Sequence, residues 1–82
     1  MVTSESIKNH IENSMPCERV HVEGDDGRHF EAIIVSAEFR GKSMVQQHQL
    51  VYRALGDRMK QEIHALSMRT LTPEQWAESS QS

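Results

Sequence analysis

The stretch Glu18-Arg19-Val20-His21-Val22-Glu23-Gly24-Asp25-Asp26-Gly27-Arg28-His29-Phe30-Glu31-Ala32-Ile33-Ile34-Val35-Ser36 decides the fold. Val20 and Val22 alternate with Arg19, His21 and Glu23, which is the period-two pattern of a half-buried strand over residues 18–23. Gly24-Asp25-Asp26-Gly27 supplies residues that tolerate the positive φ angles of a tight hairpin. Residues 28–36 form the returning strand, and the unbroken apolar run from Ala32 to Val35 predicts a central position with more burial. Alternation sets His29 and Glu31 on the side opposite Phe30 and Ala32.

Helices are expected on either side of this hairpin. Ile7, Ile11 and Met15 recur at a four-residue spacing and mark the buried stripe of a first helix, capped by Thr3 or Ser4 and ended by Pro16. Glu38-Phe39-Arg40-Gly41-Lys42 reads as a second turn. Ser43-x-x-Gln46 is a capping box that opens a helix running to about Lys60, with Val45, His48, Val51 or Tyr52, Leu55 and Met59 on its apolar stripe. Residues 62–69 form a third strand. Thr72-Pro73-Glu74-Gln75 then caps a last helix, with proline at its first position. The order α-β-β-α-β-α makes an α+β fold. The crossover through the second helix leaves strands two and three parallel. The result is a three-stranded mixed sheet with helices on one face and the other face partly open.

With 82 residues the chain is read as one domain, which buries only about 60% of its unfolded surface. A core that thin suits a partner surface better than a deep enzyme pocket. Cys17 is the only cysteine, so neither an intrachain disulfide nor a CxxC metal site can form. The first residues lack the basic-then-apolar pattern of a signal peptide, no segment has the length of a membrane span, and the cytosol is the expected compartment. The net charge of −3 is unevenly spread. Residues 1–38 carry three basic against eight acidic side chains, and residues 39–71 carry six basic against two acidic. The basic middle can attract phosphates or an acidic protein face, or serve as a solvated helix surface.

Chemistry rests mainly on histidine. His29 follows the hairpin turn, and His64 opens the apolar run Ile63-His64-Ala65-Leu66-Ser67-Met68. Neutral imidazole is a common metal ligand, and two such rings on one sheet could hold one side of a metal or cluster site. His48 lies on the helix stripe and is expected to be a buried, hydrogen-bonded structural residue. His21 is expected in solvent on the exposed side of its strand, and His10 at the surface. Cys17 is left without a role. Gly24-Asp25-Asp26-Gly27 has the GXXG spacing of KH nucleic-acid clamps, but it joins two strands, and its aspartates would repel phosphates. No Ser-His-Asp order, phosphate loop or HExxH motif is present, so no catalytic residue is assigned.

Three segments taken in order resemble the BolA family across nearly the whole chain. They are Gly27-Arg28-His29-Phe30 with its following strand; Phe39-Arg40-Gly41-Lys42-Ser43 with His48-Gln49-Leu50-Val51-Tyr52-Arg53-Ala54-Leu55; and Ile63-His64-Ala65-Leu66-Ser67-Met68 leading to Thr72-Pro73-Glu74-Gln75-Trp76. Within that family the chain looks most like the short bacterial IbaG-type members. The resemblance implies a fold like a class II KH domain in a chain that is monomeric when alone. It also implies partnership with a monothiol CGFS-type glutaredoxin. In that complex a [2Fe-2S] cluster is shared between thiolates of the glutaredoxin and its bound glutathione and a histidine of the BolA-like chain. The matching positions are His64 on the last strand and, as a second ligand from the loop between the first two strands, His29. Imidazole in place of thiolate on one iron raises the potential and makes ligation sensitive to pH. The isolated chain would hold no cofactor.

A rival function is DNA binding by a transcription regulator. The turn-helix of residues 39–55 would then bring Arg40, Lys42, Arg53 and Arg58 near phosphates, giving affinity without sequence readout. The acidic isoelectric point, about 5.9, argues for weak binding.

Overall fold

The computed structural model describes residues 2–24, 29–62 and 65–81, with side chains left out at 58–62, 80 and 81. The elements are α1 (Ser4–Ser14), β1 (Arg19–Glu23), β2 (His29–Val35), a one-turn 3₁₀ helix (Ala37–Phe39), α2 (Met44–Glu62), β3 (Ala65–Leu71) and α3 (Pro73–Gln81). The expected order α-β-β-α-β-α holds, with the 3₁₀ turn added where residues 38–42 read as a turn.

Each α-helix begins on a short-range signal. The Thr3 hydroxyl accepts from the Ser6 backbone amide at 3.0 Å, and the Ser6 hydroxyl accepts from the Thr3 amide at 2.9 Å. Ser43 and Gln46 make the same reciprocal pair at α2, as do Thr72 and Gln75 at α3. Such pairs satisfy amides that the first helical turn would otherwise leave unbonded.

The sheet has the order β1-β2-β3, so the apolar run does lie on the central strand. β1 pairs antiparallel with β2, Val20 opposite Ile34, and β2 pairs parallel with β3, Ile34 opposite Thr70. This register sends Val20, Val22, Phe30, Ala32, Ile34, Leu66 and Met68 to one face, where Ile7, Ile11, Val51 and Leu55 of α1 and α2 cover them. Ile7 and Ile11 are fully buried, each worth about 1.5–3 kcal/mol of apolar transfer. Phe39 is also fully buried, so the segment read as a turn carries a core anchor.

Two boundaries differ from expectation. α2 is interrupted at Gly56, whose φ of 77° and ψ of 164° are not helical, and helical residues resume through Glu62. The third strand therefore starts at Ala65 and ends at Leu71, displaced from residues 62–69. Its end is fixed by β2: Val35 pairs with Leu71, and the Ser36 amide donates to the Leu71 carbonyl at 3.0 Å. Ser36 is fully buried, and its hydroxyl donates to the Pro16 carbonyl at 2.6 Å and accepts from the Glu38 amide.

The stripe of α2 is also rotated. Its buried residues are Gln47, Val51 and Leu55, whereas Val45 is 66% exposed and His48 only half-buried. The cause is polar. Gln47 Nε2 donates to the carbonyls of Phe39 and Lys42 at 3.2 and 3.0 Å, and its Oε1 accepts from Thr70 Oγ1 at 2.6 Å. Hydrophobic periodicity cannot register a buried amide whose bonds are all supplied from elsewhere.

α1 and α2 cover one face of the sheet, whereas α3, expected on that same face, caps one end of the other, where Trp76 meets Arg19. Arg19, Val35 and Leu71 form a rung of that second face. Val35 and Leu71 are buried there, and the Arg19 guanidinium lies 5.0 Å from the Trp76 ring centre of α3. No described helix is long and apolar enough to cross a membrane.

Candidate functional site

Beyond the rung capped by α3, the second face stays open. Its next rung is His21, Ile33 and Arg69, and the one after it Glu23, Glu31 and Ser67. The last pairs His29 of β2 with Ala65 of β3. The alternation that buries Phe30 turns His29 outward, so the same period that builds the core exposes this imidazole. An open cleft of about 710 Å³ surrounds it, lined by Glu23, Gly24, Phe30, Glu31, Ala65 and Ser67. His29 thus begins a hydrogen-bonded strand, held at a fixed distance from β3 by the parallel ladder.

His64 precedes Ala65 in the chain and lies outside the described residues, as do Arg28 and the turn residues Asp25, Asp26 and Gly27. His21 is exposed on the same open face, with Nε2 2.9 Å from Glu23 Oε1. His48 lines a different groove with Met44, Met68 and Gln75, half-buried where full burial was expected. His10 is exposed, as expected.

Among the described residues no group of three or more His, Cys, Asp and Glu is arranged to hold a metal ion. An exposed imidazole at a strand start fits one ligand of a set completed from another source. Cys17 does not extend the set. It is half-buried against the α1–β1 core, and burial, with Glu12 adding, pushes its thiol up from an ordinary value near 9 to about 11. That burial disfavours the thiolate, the form that ligates metals.

Of the basic candidates, Arg40 is paired with a carboxylate. Arg40 Nε donates to Glu74 Oε1 at 2.9 Å, and its terminal nitrogen donates to Glu74 Oε2, a two-point pair tying the 37–42 segment to the first turn of α3. Those bonds push the guanidinium further up and hold the Glu74 carboxyl below the usual carboxylate range. Arg53 lines a shallow groove with Met15, Leu50 and Glu38. Lys42 is exposed, and the side chain of Arg58 lies outside the described residues. Sequence reading missed Glu74, because a contact between residues 34 apart leaves no local pattern.

A three-helix domain on a mixed three-stranded sheet, with an outward histidine heading the central strand, defines a small α+β class of domain. The chain belongs to the BolA family: the family model described as BolA-like protein matches residues 2–75. It is 38% identical to Protein BOLA2 of Arabidopsis thaliana over 85 aligned residues, covering 99% of this chain and 90% of that one. Its fold matches the structure of a BolA protein homologue from Coxiella burnetii with a TM-score of 0.83 and 45% identity, covering 94% and 99% of the two chains. A 48-residue segment is 44% identical to the DNA-binding transcriptional regulator BolA of Haemophilus influenzae, spanning 58% of this chain and 47% of that protein.

Proposed function

We propose that the chain is a non-enzymatic partner of a monothiol CGFS-type glutaredoxin, and that it helps to assemble, hold or transfer a shared [2Fe-2S] cluster. One observation carries the reading: His29 is outward, exposed and locked in register with Ala65, the residue that follows His64. In this reading His64 and His29 hold the cluster on this side, and thiolates come from the glutaredoxin and its glutathione. Imidazole ligation gives the cluster a higher potential than an all-thiolate set and a pH-dependent hold. This chain's part is to present imidazole from a strand of the ladder, in an open cleft that a partner surface can close. A protein of this kind works in iron-sulfur and iron homeostasis and in stress responses.

Anaerobic mixing with a cluster-loaded CGFS glutaredoxin is expected to change the visible absorption and circular dichroism. His64→Ala should abolish the change and His29→Ala should weaken it. Absence of a heterodimer, or a spectral change that survives His64→Ala, would refute the reading.

DNA binding by the 39–55 segment is a second reading, favoured by the name of the Haemophilus influenzae relative. Against it, the Arg40 charge is already met by Glu74. A complex with duplex DNA should then form at low salt and weaken steeply as salt rises. No retention at low salt removes this reading.

A further inference from the structure

We infer that Gly24 is a positioning residue for His29, required as glycine because the Phe30 ring fills the volume a side chain would need. The inference rests on the proposed role of His29 as a ligand. Gly24 follows the last residue of β1, and one more step of the antiparallel register sets it opposite Phe30. A Cβ built on Gly24 would lie 2.5 Å from Phe30 Cδ1, 2.9 Å from Phe30 Cε1 and 2.9 Å from the carbonyl oxygen of His29 itself. Carbon does not approach other heavy atoms so closely at equilibrium, where contacts sit at about 3.5–4.0 Å.

Something must therefore move, and neither neighbour can move freely. The Phe30 ring is 2% exposed and packed in the core beneath α1 and α2. The His29 carbonyl is backbone. The easier displacement is of the start of β2 away from β1, because the ring is held on its far side by a filled core. That movement carries His29 with it and disturbs its pairing with Ala65. Gly24 and His29 line the same cleft, so the displacement falls inside the site.

The requirement is for space and not for backbone freedom. Gly41 and Gly56 are the described glycines with positive φ, and Gly24 is not among them. A glycine needed for its φ cannot be replaced whatever surrounds it, whereas one needed for space can be replaced once its neighbour shrinks. Phe30→Leu removes the ring with its Cε1 and lets the remaining Cδ carbons turn away from a Gly24 side chain, leaving only the approach to the His29 carbonyl.

The test compares wild type, Gly24→Ala, Phe30→Leu and the double variant. NMR of the free chain reads the His29 amide and imidazole resonances and the NOEs between His29 and Ala65. Anaerobic titration with cluster-loaded CGFS glutaredoxin reads the affinity. Gly24→Ala is expected to shift the His29 resonances, weaken the NOEs and lower the affinity by about 10- to 100-fold, the range for a lost ligand-orienting contact. The double variant should move both readouts part of the way from Gly24→Ala toward Phe30→Leu, because the approach to the His29 carbonyl remains. Unchanged His29 resonances in Gly24→Ala, or a double variant that does not recover, would overturn the inference. If Gly24→Ala does not fold, the double variant decides: it must fold and show the NOEs between His29 and Ala65. A wild-type titration with no spectral change would instead defeat the ligand reading, while the free-chain resonances still decide the positioning.

Discussion

Replacing Gln47 by leucine should destabilise this domain, although the substitution is apolar and close in volume. Gln47 is 8% exposed, and its amide makes three bonds that tie α2 to the 39–42 segment and to β3. Leucine leaves the Thr70 hydroxyl unpaired in a buried setting; the Phe39 carbonyl keeps the Lys42 amide at 3.2 Å and loses one of its two donors, while the Lys42 carbonyl, only partly buried, can turn to water. A buried group stranded in this way costs about 1–3 kcal/mol. The stranded hydroxyl and the one bond lost at the Phe39 carbonyl, offset in part by the burial of leucine, give an expected loss of about 1–2 kcal/mol. For 82 residues the whole stability is about 4–12 kcal/mol, so the loss is a large share of it.

Urea denaturation followed by far-ultraviolet circular dichroism should show a lower midpoint with an unchanged slope. A double-mutant cycle isolates the network. Thr70→Val alone should cost about 1–2 kcal/mol, and the double variant should fall short of the summed losses by at least about 1 kcal/mol, because removing both partners leaves nothing to strand. A loss below about 0.5 kcal/mol for Gln47→Leu, or strict additivity, would refute the view that this amide sets the orientation of α2.

Gly56→Ala should destabilise by about 1–3 kcal/mol, because φ 77° with ψ 164° is a region open essentially to glycine alone; the loss should appear in the same urea titration although a Cβ there meets no atom within 4 Å. The Cys17 thiol should react slowly with iodoacetamide at neutral pH, with a rate that climbs toward a midpoint near 11. Its folded value lies above the unfolded one, so the unfolded chain loses this proton first as pH rises. Stability should therefore decline between about pH 9 and 11, and the decline should vanish in Cys17→Ala.

Much of the fold was legible because its signals are short-range. The alternation of Val20 and Val22 gave β1, the Ala32–Val35 run gave the central strand, and the caps at Ser43 and Thr72 placed two helix starts within a residue. The parallel β2–β3 pairing followed from connectivity alone. The rotation of α2 was hidden because a buried glutamine reads as polar surface until its three partners are known. Leu71 was left outside the third strand because its burial depends on α3 crossing the far face. At the site, sequence identified His29 as an outward residue of the second strand. It gave no sign that Arg40 is held by Glu74, or that Gly24 sits under the Phe30 ring. Both contacts depend on which residues the folded chain brings face to face.

The sequence by itself thus determined the elements, their order and the side of the strand on which His29 stands. Periodicity and capping act within a few residues, and no tertiary contact is needed to read them. Tertiary structure decided the rest: the register that sets His29 against Ala65, the polar network that turns α2, and the close approach that leaves only glycine room at position 24. Each is a property of what lies opposite a residue, and distance along the chain does not encode it.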